Sequence, residues 1–168
     1  TYKSALSNQH IEFNPNFRNG DAAKIILNEV VSNSKTLMNG YTEIYGRKAD
    51  YIVANPNGIT CNGCGFINTS RLSLITGSSN IVNGDIENFN IAPTAELRIN
   101  GVGAENFAFY SSSPADIVSN AIKISGNILS NSDLRILSGN DKYDWKNQAV
   151  SSDNNVNTEL AVDVSALA

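Results

Sequence analysis

At 168 residues, the chain has the length of one domain able to bury a real core. Apolar residues make up 41%, and no run approaches the roughly 18 uninterrupted apolar residues that a membrane-spanning helix needs. Twelve Lys and Arg against sixteen Asp and Glu leave a formal net charge of -4, which removes the electrostatic attraction behind most nonspecific nucleic-acid binding. Nucleic acid and membrane insertion are therefore not expected. Charged residues are only 17%, against about a quarter in an average domain. Asn and Ser carry the polarity instead, with 25 and 19 copies. Both compete with helical backbone bonding, and Asn tolerates left-handed turns. Seventeen Ile fall in short runs between Asn, Gly and Ser, so the composition reads as an all-β chain of short strands: solenoid, sandwich or barrel. It starts Thr1-Tyr2-Lys3, with neither Met nor an apolar leader, and reads as a mature chain or a piece of something longer.

In chain order, strand-length runs lie at 23–31, 41–45, 51–54, 72–75, 96–99, 117–124 and 134–137, alternating or continuously apolar. The stretch 28–35 has some helical character, but Val30-Val31 and the following Ser-Asn-Ser favour strand and turn. Residues 158–167 alternate and make a further strand. Four aliphatic runs close on Gly77, Gly101, Gly126 and Gly139, spaced 24, 25 and 13 residues apart. Spacings near 25 suit one coil of a parallel β-solenoid and 13 about half a coil. The expected apolar stack is Ile52, Leu72, Leu74, Leu97, Ile99, Ile122, Ile124, Leu134 and Ile136. A two-sheet antiparallel sandwich is the alternative.

The most informative local feature is Asn55-Pro56-Asn57-Gly58, set between Tyr51-Ile52-Val53-Ala54 and Ile59-Thr60-Cys61. Asn first, Pro second and Gly fourth match a type I β-turn, so this is a corner between two strands. Losing the turn-closing Asn55, or the stiff Pro56, is expected to cost about 0.5 to 2 kcal/mol. A related tetrapeptide, Asn14-Pro15-Asn16-Phe17, precedes the 23–31 run.

Taken together, Asn14-Pro15-Asn16-Phe17, Ala23-Lys24-Ile25-Ile26-Leu27-Asn28-Glu29-Val30, Leu37-Met38-Asn39-Gly40-Tyr41-Thr42-Glu43-Ile44 and the segment from Ala54-Asn55-Pro56-Asn57-Gly58-Ile59-Thr60-Cys61 to Asn68-Thr69 resemble the secretion domain of the filamentous haemagglutinin family. These are the large two-partner secretion exoproteins of Gram-negative bacteria, among them adhesins, haemolysins and contact-dependent growth inhibition toxins. The dense match covers about residues 14–77. The resemblance implies a right-handed parallel β-helix with extra-helical strands or hairpins, spanning 1–168 as a single domain, forming an N-terminal part of a much larger exoprotein. It implies recognition by a dedicated outer-membrane β-barrel transporter through its periplasmic domains, nucleation of β-helix folding at the surface, and a secreted or cell-surface location after transit through the periplasm. The family's two motifs map onto Asn14, Pro15 and Asn16, and onto Asn55, Pro56, Asn57, Gly58 and Ile59. Phe17 departs from the usual Leu, and against the family's pattern the segment before the first motif is expected to be short of part of the usual N-terminal cap, which would leave a sheet edge open. The competing function classes are an adhesive module for a host glycan or receptor and a polysaccharide-cleaving β-helix enzyme.

Cys61-Asn62-Gly63-Cys64 is a lone CxxC. Zinc needs four ligands, and His10 is the chain's one His. A redox-catalytic pair wants a helix N-terminus, whereas Gly65-Phe66-Ile67 reads as turn then strand. Two readings stand: a local disulfide formed in the oxidising periplasm, which would close a small loop at this corner, and two buried thiols packed as small apolar groups. The same CxxC occurs in a subset of the family.

No cofactor, metal site or catalytic residue is expected. His10 lies in a polar segment without a triad context. Asp133, Asp141 and Asp144, with Lys142 or Lys146, have the residue types of a carboxylate-and-base site but read as a solvated loop. Gly101-Val102-Gly103 lacks the third Gly and helix of a phosphate loop. Phe107 and Phe109 are expected on one face, and Tyr143 and Trp145 are expected to pack rather than bind.

Overall fold

The computed structural model describes residues 2–12, 14–17, 21–139 and 141–152, together with the backbone of Leu160–Val162. Every regular element among them is a strand. In chain order these are β1 (Tyr2–Lys3), β2 (His10–Ile11), β3 (Ile25–Glu29), β4 (Thr36–Glu43), β5 (Ala49–Ala54), β6 (Ile59–Ile67), β7 (Thr69–Ile75), β8 (Gly77–Val82), β9 (Asp85–Ile91), β10 (Glu96–Asn100), β11 (Phe107–Ser111), β12 (Ala115–Val118), β13 (Ala121–Ser125), β14 (Asn127–Ser130), β15 (Leu134–Leu137), β16 (Lys142–Asp144), β17 (Ala149–Ser151) and β18 (Leu160–Val162).

The chain winds as a parallel β-helix. One sheet runs β3-β5-β7-β12-β15, and the other stacks β4, β6, β10 with β11, β13 with β14, and β18, every neighbouring pair being parallel. β6 is long because it serves two partners: Ile59–Asn62 pairs with β10 and Cys64–Phe66 with β11. Gly63, at φ 58°, bends the strand between the two halves. Alternation puts one side chain in two into the helix and the next outside, and stacking in register turns each inward position into a ladder. Ile59, Leu97 and Ile122 form one, and Tyr51, Leu72, Ala115 and Leu134 another. Phe66, Phe109, Leu74, Ile99 and Ile117 join them in the interior, all fully buried.

The spacing argument holds for two of the three intervals: the 13 residues from Gly126 to Gly139 pass from one sheet to the other, about half a coil, and the 25-residue interval is a full coil. Gly101 and Gly126 follow the in-register residues Asn100 and Ser125, and a Cβ on Gly126 would lie 2.6 Å from the Cα of Gly101. Gly77 and Gly101 instead follow strands of different sheets, so their 24-residue interval is not a coil. The predicted single strand at 117–124 is two, broken at the Ser119-Asn120 corner. Six of the nine expected core residues are fully buried or nearly so, namely Ile52, Leu72, Leu74, Leu97, Ile99 and Ile122; Ile124 and Leu134 pack against the interior from partly buried positions. Ile52 pairs with Ser73, out of step with the inward Leu72 and Leu74, and so lies outside the helix in a second apolar cluster. Ile136 remains 38% exposed because β15 is the last described strand of its sheet.

That second cluster sits beneath an antiparallel sheet in the order β17-β16-β9-β8, laid outside the helix. Its β8–β9 hairpin turns at Asn83-Gly84, both at positive φ, the pair that a two-residue hairpin favours. Tyr143 and Trp145 are buried here with Phe89, Ile91, Ile52 and Ile75, so these two aromatics pack as expected. Phe107 and Phe109 do not share a face. The β11–β14 register slips between them, leaving Phe109 inside against Phe66 and Phe107 outside, stacked on Tyr41.

Candidate functional site: the two Asn-Pro-Asn turns

Asn55-Pro56-Asn57-Gly58 forms the corner from β5 to β6, closed by a bond from the Gly58 N–H to the Asn55 carbonyl at 3.2 Å. Asn55 is fully buried, and its side chain is satisfied on every side. Its Nδ2 donates to the Ser34 carbonyl at 2.9 Å and to Thr36 Oγ1 at 2.8 Å, both in the preceding coil. Its Oδ1 accepts from the Asn57 N–H at 2.8 Å and from Asn57 Nδ2 at 2.9 Å. The Asn55 N–H donates to Ile75 of the following coil, and Asn57 Nδ2 reaches back to the Ser32 carbonyl at 2.7 Å. Gly58 sits at φ 118°, and a Cβ there would lie 3.0 Å from the Glu96 carbonyl. Ile59 then enters the core at 1% exposure. The motif is thus a bolt through three successive corners, more than the local turn its residue types suggested.

Asn14-Pro15-Asn16 is built differently. Asn14 Oδ1 accepts from the Asn16 N–H at 2.9 Å, and its carbonyl accepts from Phe17 at 3.1 Å. All three motif residues and Phe17 are exposed. The turn belongs to an N-terminal segment that folds back over the first coil. There the Glu43 carboxylate accepts bonds from Ser4 Oγ and from the Ala5 and Leu6 N–H groups at 2.6, 2.7 and 3.3 Å. These bonds hold the carboxyl of half-buried Glu43 below its ordinary range, led by that from Ser4. Tyr45 grips Ile11 through its hydroxyl, donating to the carbonyl and accepting from the N–H. Between this segment and the first coil lies a cleft of about 350 Å³, bordered by Tyr2, Ile11, Asn14, Phe17, Ile26 and Tyr45.

Two polar features escaped the sequence reading. Asn68, at φ 61°, makes the corner from β6 to β7 and donates to the Ile44 and Gly46 carbonyls at 2.7 and 2.9 Å. It does for that corner what Asn55 does for the other; its signal was an Asn between two apolar runs. The second is Asp116, which sits on the outer side of the first sheet at 4% exposure. It accepts from Arg135 at 2.7 and 2.9 Å, from Arg71 at 2.9 Å and from the Tyr143 hydroxyl. Arg71 also donates to the Trp145 carbonyl at 2.8 Å and lies over its ring. Burial alone would raise the Asp116 carboxyl; the bonds from Arg135, Tyr143 and Arg71 outweigh it and hold it below its ordinary value. Burial and the neighbouring carboxylate push the Tyr143 hydroxyl well up. The network pins the outer sheet to the helix, and no local pattern announces it, because the bonded pairs named lie 19 to 74 positions apart.

Cys61 and Cys64 are joined by a disulfide with their Cα atoms 5.4 Å apart. The pair spans the bend of β6, so Gly65-Phe66-Ile67 continues the strand and is not the turn expected from its Gly. The residues of the weighed carboxylate site do not converge: Asp144 is engaged by Asn147, Asp141 by Ser152 and Lys146 by Asp85. His10 is exposed in β2. Among the described residues no group of three or more His, Cys, Asp and Glu is placed to hold a metal ion, and no helix is long and apolar enough to cross a membrane.

Comparison with known proteins places this geometry. A family profile described as "TPS secretion domain" matches residues 5–166. The chain is 36% identical to Toxin CdiA of Yersinia pestis over 151 residues, covering 90% of this chain and 4% of that toxin. It is 47% identical to Hemolysin of Proteus mirabilis over 88 residues, 52% of this chain and 6% of that protein. The crystal structure of a filamentous hemagglutinin secretion domain superimposes with a TM-score of 0.69 at 27% identity, covering 82% of this chain and 47% of that one. The chain thus spans about a twentieth of the length of these curated relatives. It belongs to the TPS secretion domain family.

Proposed function

We propose that this domain is the part of a large two-partner-secretion exoprotein that its cognate outer-membrane transporter recognises, and that it then starts β-helix folding at the cell surface. The contrast between the two Asn-Pro-Asn turns carries the reading. The second is consumed in holding three coils together, whereas the first leaves its side chains on the surface, available to the transporter's periplasmic domains. In this account Asn14, Pro15 and Asn16 belong to the recognition surface, and Asn55, Pro56, Asn57, Gly58 and Ile59 act through the fold. The domain sits toward the N-terminus of the exoprotein, does not itself catalyse a reaction, and ends outside the cell.

The test is release into the medium of an exoprotein carrying this segment, co-expressed with its transporter. Asn14→Ala with Asn16→Ala is expected to reduce release while the unfolding midpoint of the purified domain falls only slightly. Undiminished release from that variant would remove the first turn from the recognition surface.

A further inference from the structure

Both sulfurs of the Cys61–Cys64 bond are in residues with 0% exposure. Cys61 lies in register between Met38 of β4 and Ile99 of β10, and Cys64 beside Phe109 of β11. Cys61 Sγ is 3.3 Å from the Ala108 carbonyl. The bend between the two cysteines is covered as well: a Cβ on Gly63 would lie 2.3 Å from the Val102 side chain and 3.3 Å from the Phe107 carbonyl. Thiol–disulfide exchange needs a thiolate to reach a sulfur and attack it directly. With β10, β11 and the loop between them in place, that approach is closed.

We propose that the redox state of this pair is set on the open chain, before β10 and β11 dock, and is locked by the coil that they complete. The reaction balances as an exchange with a disulfide-bearing oxidant. One cysteine thiolate attacks the oxidant's disulfide to give a mixed disulfide, and the second thiolate displaces it. The domain loses two protons and two electrons, and the oxidant's disulfide becomes two thiols. The sequence separation is 3, so the bonded but unfolded chain stays linear, without the long loop that a distant pairing would create. Placing the oxidation in the periplasm rests on the secretion reading; the locking does not.

The experiment is reduction of the purified oxidised domain by dithiothreitol, followed by alkylation and mass measurement, in buffer and in urea beyond the unfolding midpoint. Locking predicts reduction in buffer about 100-fold slower or more than in urea, because the reaction waits for β10 and β11 to open, with rates between the two rising as urea populates that opening. Reduction in buffer within a few-fold of the urea rate, with the circular dichroism spectrum unchanged, would overturn the proposal. Transporter dependence does not enter this measurement, so failure of the secretion reading would leave its outcome untouched.

Discussion

Replacing Asn55 by Ala removes four side-chain hydrogen bonds from a fully buried position. A typical bond contributes a net 0.5 to 1.5 kcal/mol or so, and a buried group left without its partner costs about 1 to 3 kcal/mol. Ser34 is exposed and Thr36 half-buried, so water recovers part of the loss, and the expected destabilisation is about 2 to 4 kcal/mol. That exceeds the cost of a lone turn residue because the side chain joins two coils. Asn14→Ala removes one bond at an exposed turn, and about 0.5 kcal/mol is expected. Asn55→Asp keeps the acceptor but turns an oxygen toward the Ser34 carbonyl, so it is expected to cost at least as much as Ala. Urea unfolding of the purified domain measures all three. Midpoints should fall strongly for both Asn55 variants and little for Asn14→Ala, with the slope unchanged. Equal loss at Asn14 and Asn55, or less than about 0.5 kcal/mol at Asn55, would refute the bolted-corner reasoning.

Asp116→Ala strands Arg71 at 13% side-chain exposure and is expected to cost about 3 to 5 kcal/mol, the range for a buried pair broken from one side; urea midpoints at neutral pH check it. The same network makes stability depend on pH at both ends. Asp116, held below its ordinary value of 3.8, contributes stability that is present above that value and lost as pH falls through the folded value. Tyr143, raised from 10.0, contributes stability present below pH 10 and lost as pH rises beyond it. Asp50, raised by burial against the pull of Arg71, works against the acid loss. Tyr143→Phe should therefore flatten the alkaline limb of a midpoint-against-pH curve and, because its hydroxyl also helps to hold Asp116 down, make the acid limb shallower while Arg135 and Arg71 preserve part of it; an unchanged alkaline limb would show that Tyr143 does not govern it. Gly126→Ala, at φ 112° with its new methyl 2.6 Å from Gly101, should lower the stability measured by urea unfolding by about 2 kcal/mol or more, and a neutral result would place those coils further apart than the register requires.

The sequence was legible where chemistry is local. Apolar alternation located half of the strands, nine of eighteen, and the Asn-Pro-Asn-Gly order marked the corner at 55–58. What it left out depends on contacts between distant coils. Leu72 and Leu97 read alike but lie on different sheets, because the insertion of β8 and β9 between them displaces the repeat. The Asn83-Gly84 pair is a hairpin signal, but nothing local places that hairpin outside the helix. Ile52 and Ser73 face outward under the extra sheet, an orientation that alternation leaves ambiguous when both faces of a strand are covered. The burial of Asn55 and the exposure of Asn14 follow from what stacks on each corner, so two similar tetrapeptides could not be told apart before their surroundings were known.

The central claim is that this domain is read by a transporter. The most direct measurement places an exoprotein carrying the segment in cells with and without the cognate outer-membrane transporter and follows its appearance in the medium. The account predicts release only with the transporter, abolished when residues 1–168 are deleted and sharply reduced by Asn14→Ala with Asn16→Ala. Equal release without the transporter, or undiminished release after deletion of the domain, would contradict it.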